Sequence, residues 1–222
     1  FNTYPKGDPR YESTIDDDLQ ETRAATLDQV KAFHREFYGA VPAELAIVGD
    51  FDADAIVPVI EELFAKWKPV LPVSPLLRRF DAIAPTRLQL DTPDKENGFY
   101  AARQNLDLNI DDPDYPALTI ANYIFGEGGL KSRLLDRIRQ KDGLSYGGGS
   151  QLSAGELDRA GAFMISAIAA PQNLARVETA VREELARTLK GGFTQAELAG
   201  AKSGLMQQRL QNRADDGVLA AG

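Results

Sequence analysis

Apolar positions along the chain switch between the period of a helix and that of a strand, and the order of the switches sketches a fold. The opening is polar and turn-rich (YPKGDPRY, then DDDLQE) and predicts a surface segment ending in a short helix. Thr26 then starts a clear helix. Thr26 and Gln29 have capping-box spacing, in which each side chain satisfies a free backbone N–H. Leu27, Val30, Phe33 and Phe37 fall on one helical face, and Gly39 marks the end. AELAIVGD from Ala43, bounded by Pro42 and Gly49, reads as a buried strand. A second helix runs to about Trp67 with Val59, Leu63 and Phe64 at core spacing. Pro58 must lie near its first turn or kink it.

KPVLPVSPLLRRFDAIAP, from Lys68, holds four prolines in eighteen residues. Proline fixes φ and removes a donor, so the stretch predicts an extended linker. Beyond it, RLQLD from Arg87 alternates as a half-buried strand does, TPDKENG is a turn, and FYAARQNLDL from Phe99 is a second strand. Asp114 stands as the cap of a helix through Phe125, with Leu118, Ala121 and Phe125 inward. After Gly126, Gly128 and Gly129, the next helix carries Leu130, Leu134 and Ile138 on one face and stops at Gly143. SYGGGSQLSA and GAFMISAIAA read as two strands joined by GELDRAG. A long helix from Leu174 to Lys190 ends at Gly191–Gly192, and Thr194 with Glu197 caps the last one. The second half thus reads β-β-α-α-β-β-α-α, which predicts an α+β fold with an antiparallel sheet covered by helices.

Composition narrows the chemistry. The 222 residues carry 25 Lys+Arg against 33 Asp+Glu, a net charge of −8. That balance speaks against tracking the phosphates of a nucleic acid. No apolar run reaches the roughly 18 residues of a membrane span. Cysteine is absent and His34 is the single histidine. Thiol chemistry is excluded, and one imidazole cannot build the usual catalytic zinc site. The chain opens at Phe1 without an initiator Met, so the expectation is a piece of a longer protein.

Candidate site residues follow from local pattern. GEGGLKS, from Gly126, is glycine-rich and precedes a helix. Leu130 interrupts the Gly-Lys-Ser/Thr order of a phosphate loop, so a helix end and tight turn is the favoured reading. Asp16–Asp17–Asp18 lacks the spaced ligands and glycine of a calcium loop and suits a helix start. SRLLDRIRQKDGLSYGGG is the most informative segment. Its helix places Arg139 in the last turn, Gly143 turns the chain, and Tyr146 emerges on the following strand. A guanidinium and a phenol aimed at one point suit a carbonyl or a developing oxyanion. On pattern alone, a C-capping Arg and a Tyr packed on the sheet is the favoured reading.

The same segment resembles the second-half signature of the pitrilysin/insulinase family of zinc metallopeptidases, the inverzincins. The resemblance rests on Ser132-Arg133-Leu134, Arg139, Gly143, Leu144 and Tyr146. It extends to TLDQVKAFHREFYGAVPAELAIVGDFD, DDPDYPALTIANYIFGEGG and GGFTQAELAGAKSGL, nearly the whole chain from about Asp18. It implies pitrilysin/processing-peptidase-like subdomains: residues 1–70 ending one, 71–86 a proline-rich linker, and 87–222 most of the next, truncated at its C-terminus. The family's His-x-x-Glu-His motif is absent, which implies the non-zinc-binding C-terminal half, with no metal site of its own and zinc in the parent protein. Arg139 and Tyr146 match the family positions that reach the substrate, Arg139 holding a main-chain carbonyl and Tyr146 serving as the oxyanion donor. The implied partners are peptide substrates and a zinc-binding half, on the same chain or a partner subunit. A periplasmic location is favoured for the parent. Two other readings stand beside this one: a non-catalytic or structural subunit of a processing-peptidase-like complex, and an anion-binding module resting only on GEGGLKS.

Overall fold

The computed structural model describes residues 4–40, 43–72 and 74–221. The chain divides into two compact units, Phe1–Leu76 with Gln211–Gly222, and Leu77–Leu210.

The first unit holds α1 (Ile15–Ala24), α2 (Leu27–Phe37), α3 (Ala53–Phe64) and α8 (Asp216–Ala221). Their starts follow local chemistry. Thr14 and Asp17 close a capping box at α1, and Thr26 and Gln29 close the expected one at α2. Asp52 caps α3 by accepting from the N–H groups of Asp54 and Ala55. Asp16, Asp17 and Asp18 occupy the first turn of α1, where acidic side chains suit the helix dipole. Pro58 lies inside α3 rather than in its first turn.

Two expectations fail in this unit. Residues 43–48 form no ladder, and Leu45, Ile47 and Val48 are exposed. A strand exists only against a partner edge, and an apolar run alone does not supply one. The apolar faces of α2 and α3 are also uncovered: Leu27, Val30, Phe33, Phe37, Val59, Leu63 and Phe64 are all exposed. Helical period identifies a face that favours burial, but not what buries it.

The second unit holds the core. Its elements are β1 (Gly98–Asp107), α4 (Tyr115–Asn122), α5 (Arg133–Leu135), β2 (Ser145–Ser153), β3 (Ala160–Ala169), α6 (Leu174–Gly191) and, as far as Leu210, α7 (Gln195–Asn212). The strands form an antiparallel sheet in the order β1-β3-β2. On β3, Ile165, Ala167 and Ala169 point inward and meet Phe125, Leu134, Ile138, Val177 and Val181. Val177, Ala180, Val181, Glu184 and Thr188 form the buried stripe of α6. This is the α+β architecture expected, an antiparallel sheet covered by helices. Gly192, at φ 64°, ends α6 in a conformation that L side chains rarely adopt.

Three local readings change. The alternating run at Arg87 forms no strand; Leu88 and Leu90 are exposed, and Arg87 instead pairs with Glu178 of α6 at 3.1 Å. The helix expected through Phe125 is α-helical only to Asn122 and continues as a π-turn over Tyr123–Glu127. Asp114 stands at its N-cap without a side-chain cap bond, and Leu118 is exposed. The following helix starts at Arg133, capped by the Ser132 hydroxyl, so Leu130 precedes it and is exposed.

Candidate functional site

The corner between α5 and β2 positions both sequence-selected side chains. After Leu135 the helix widens into a π-helical turn, Asp136–Lys141, that contains Arg139. Such wide turns are rare in proteins and frequent at functional sites. Its end is closed by two backbone bonds of unusual span: Asp142 N–H to the Arg137 carbonyl (3.1 Å) and Leu144 N–H to the Ile138 carbonyl (2.8 Å). Gly143 makes the reversal possible at φ 60°. Ile138 and Leu144 are buried on the inner side of the corner, anchoring it to the core.

Arg139 is exposed and makes no ion pair among the described residues. Its neighbours are all engaged. Arg133 binds Glu197, Arg137 binds Asp142 (2.7 Å) and Glu183 (2.9 Å), and Lys141 binds Asp136 (2.6 Å). The unengaged guanidinium is thus a selective feature of this segment.

Tyr146 sits in a β-bulge. Ser145 opposes Ala169 and Gly147 opposes Ile168, which leaves Tyr146 as the extra residue. Bulges of this kind re-aim a side chain and recur beside active sites. The ring is 65% exposed and faces away from the core. Register places Phe99 of β1 opposite Ile168, so Tyr146, Ile168 and Phe99 share one row across the outer face, all three exposed.

Ser145 was not selected from the sequence. Its hydroxyl lies within 2.8 Å of both the Gly147 and Ile168 carbonyls, and it accepts from the Gly147 N–H at 3.2 Å. One signal existed. Ser145 and Ser150 are both buried, yet they are an odd number of residues apart, which a regular strand would place on opposite faces. Only an inserted residue puts both on the core side.

The other motifs are structural. Gly126 of GEGGLKS is buried in the π-turn, and a Cβ there would collide with the hydroxyl and backbone nitrogen of Ser150. The glycine serves the close approach of helix and strand. That approach is fixed by Ser150 Oγ donating to Asn122 Oδ1 (2.6 Å) while Asn122 Nδ2 donates to Glu127 (2.7 Å). Arg133 of Ser-Arg-Leu is a staple. It grips Glu197 through two bonds (2.6 and 2.8 Å), donates to Thr188 and the Gly192 carbonyl, and lies over the Phe193 ring. Glu197 also closes the capping box with Thr194 that the sequence predicts.

The Arg133 hydrogen bonds hold the Glu197 carboxyl down to about 2, with the Thr194 N–H and hydroxyl adding to the effect. A carboxyl depressed on folding stabilises fully above its ordinary value near 4.5, and that contribution is lost as the pH falls through about 2. Glu197→Gln should therefore cost roughly 1–2 kcal/mol at neutral pH, allowing for the pair's partial exposure. Urea midpoints of both forms at pH 7 and pH 3 check this. The gap should narrow at pH 3, and an equal gap would contradict it.

The chain's own donors do not fit zinc. His34 is exposed on α2, stacked on Tyr38 with ring centroids 5.0 Å apart. Among the described residues no three His, Cys, Asp or Glu side chains gather as a metal site. No helix among the described residues is long and apolar enough to cross a membrane.

The α+β domain that carries Arg139 and the bulged Tyr146 belongs to a known class. Residues 24–205 match the model of the peptidase M16 inactive domain, and the chain belongs to that family. It is 22% identical over 206 residues to the Bacillus subtilis protein named "Probable inactive metalloprotease YmfF", covering 93% of this chain and 47% of that protein. It is 28% identical over 213 residues to the Mycobacterium tuberculosis protein named "Uncharacterized zinc protease Rv2782c", covering 92% and 45%. The crystal structure of a peptidase M16 inactive domain from Pseudomonas fluorescens superposes with a TM-score of 0.71 at 30% identity, over 90% of this chain and 47% of that one. The chain thus spans about half the length of the curated relatives it matches.

Proposed function

We propose that the chain is the substrate-binding, zinc-free half of a zinc metalloendopeptidase that hydrolyses peptides in a clamshell chamber. In this reading residues 1–70 complete one subdomain, 71–86 link, and 87–222 form most of the next. A zinc-binding half, on the same polypeptide or a partner subunit, supplies the metal that activates water and the general base. This chain's own contribution is to hold the peptide. Arg139 donates to a substrate main-chain carbonyl, and Tyr146 donates to the oxygen that becomes negative as the peptide carbon turns tetrahedral.

The carrying observation is the contrast at the corner. Arg139 lacks an ion pair among the described residues while Arg133 and Arg137 are engaged, and the nearby bulge lifts Tyr146 out of the sheet. A free guanidinium is a strong, geometrically selective donor to carbonyl oxygen. Arg139→Ala in the assembled protease should lower kcat/KM about 10- to 100-fold, the worth of one charge-assisted bond. Zinc content and thermal midpoint should stay at wild-type values. An unchanged kcat/KM would overturn the assignment of Arg139.

A further inference from the structure

The strand that carries Tyr146 has little to fix its register. Tyr146 is followed by Gly147, Gly148 and Gly149, which have no side chains to interlock with β3. Glycine-rich strands are prone to slip, and a slip of one residue moves each side chain to the opposite face. Two serines bracket the run. Ser150 is tied to Asn122 at the far end. At the near end, among the described residues, the only side chain bonded into the bulge is Ser145.

We propose that Ser145 is a positioning residue for Tyr146, its buried hydroxyl occupying the bulge and holding the phenol outward. The inference rests on the substrate-side reading of Tyr146. An extra residue interrupts the ladder and leaves backbone groups without their regular cross-strand partners. The Ser145 hydroxyl substitutes for those partners. It accepts the Gly147 N–H at 3.2 Å and shares its proton between the Gly147 and Ile168 carbonyls, each 2.8 Å away. Ile168 is the residue that Tyr146 and Gly147 jointly oppose, so the hydroxyl spans the bulge from one strand to the other. Ser145 is itself 8% exposed, so water does not readily replace it. Without the hydroxyl, the part-buried Gly147 N–H loses its acceptor in the bulge, and closing the bulge satisfies it best, which draws Tyr146 back into regular pairing and turns its ring. The hydroxyl touches no substrate in this account; it acts only through Tyr146.

The test is a double-mutant cycle in the assembled protease. Ser145→Ala should lower kcat about tenfold, the scale expected for a displaced rather than deleted donor, with KM and zinc content within twofold of wild type. In a Tyr146→Phe background the same Ser145→Ala change should have no further effect on kcat. Ser145→Thr, which retains the hydroxyl, should keep kcat close to wild type. A wild-type kcat for Ser145→Ala overturns the proposal, and so does an equal loss in both backgrounds. A Ser145→Ala protein that fails to fold also overturns it, because the serine would then be holding the sheet rather than the phenol. The two readings fail separately: an active Tyr146→Phe enzyme defeats the substrate-side role, whereas a slow Tyr146→Phe enzyme with normal Ser145→Ala kinetics defeats only the positioning role.

Discussion

Replacing Tyr146 by Phe in the assembled protease should lower kcat by about a hundredfold or more, with zinc content and fold unchanged. The size follows from the role proposed for the phenol. A carbonyl oxygen in the bound peptide is a neutral acceptor, but it gains a full negative charge as the carbon becomes tetrahedral. A donor aimed at that oxygen therefore binds the transition state more strongly than the substrate, and its loss appears in kcat rather than KM. Removing one such donor costs about 2.7–4 kcal/mol of barrier. Phe keeps the ring that shares the outer row with Ile168 and Phe99, so only the hydroxyl is lost. Steady-state kinetics on a peptide substrate, with metal analysis of the same preparation, decides the matter. A rate constant near wild type would remove Tyr146 from the site.

The largest stability effect is expected one residue from Arg139. Ile138 is completely buried, sits in the cluster with Leu134, Ile165 and Val177, and belongs to the π-turn that carries the arginine. Ile138→Ala leaves a cavity beneath the corner and should cost about 2–5 kcal/mol. Exchange of the slowest amides on β3 and α6 should accelerate accordingly. Leu63→Ala on α3 removes as large an apolar side chain from a position 65% exposed and should change stability by less than about 0.5 kcal/mol in this chain. Equal costs at the two positions would refute the placement of the core in the second unit.

Local rules were legible in the sequence. The capping boxes at Thr26–Gln29 and Thr194–Glu197, the helix end at Gly191–Gly192, and the pair of strands around GELDRAG all depend on residues within a few positions of one another. The failures involve partners far away in sequence. Arg87–Asp91 alternates well, but no described edge pairs with it. The run after Ala43 and the apolar stripes of α2 and α3 carry the signature of burial without showing what covers them. For the candidate site, the sequence offered residues and not their means of support. Arg139 and Tyr146 came from a resemblance, whereas the wide turn that carries the first comes from backbone bonding within the helix and the bulge that carries the second from pairing register. That register does not show in the sequence: the odd spacing of Ser145 and Ser150 becomes telling only once both are seen to be buried.

The central claim is that this chain meets the peptide at its reacting carbon. The most direct measurement compares two ligands on the assembled protease, wild type and Tyr146→Phe: a phosphinic peptide that mimics the tetrahedral state, and the matching product peptide. The variant should lose affinity for the phosphinic peptide by the same factor as kcat, roughly a hundredfold. Affinity for the product peptide should stay within twofold. Equal affinity of both proteins for the phosphinic peptide would contradict the account.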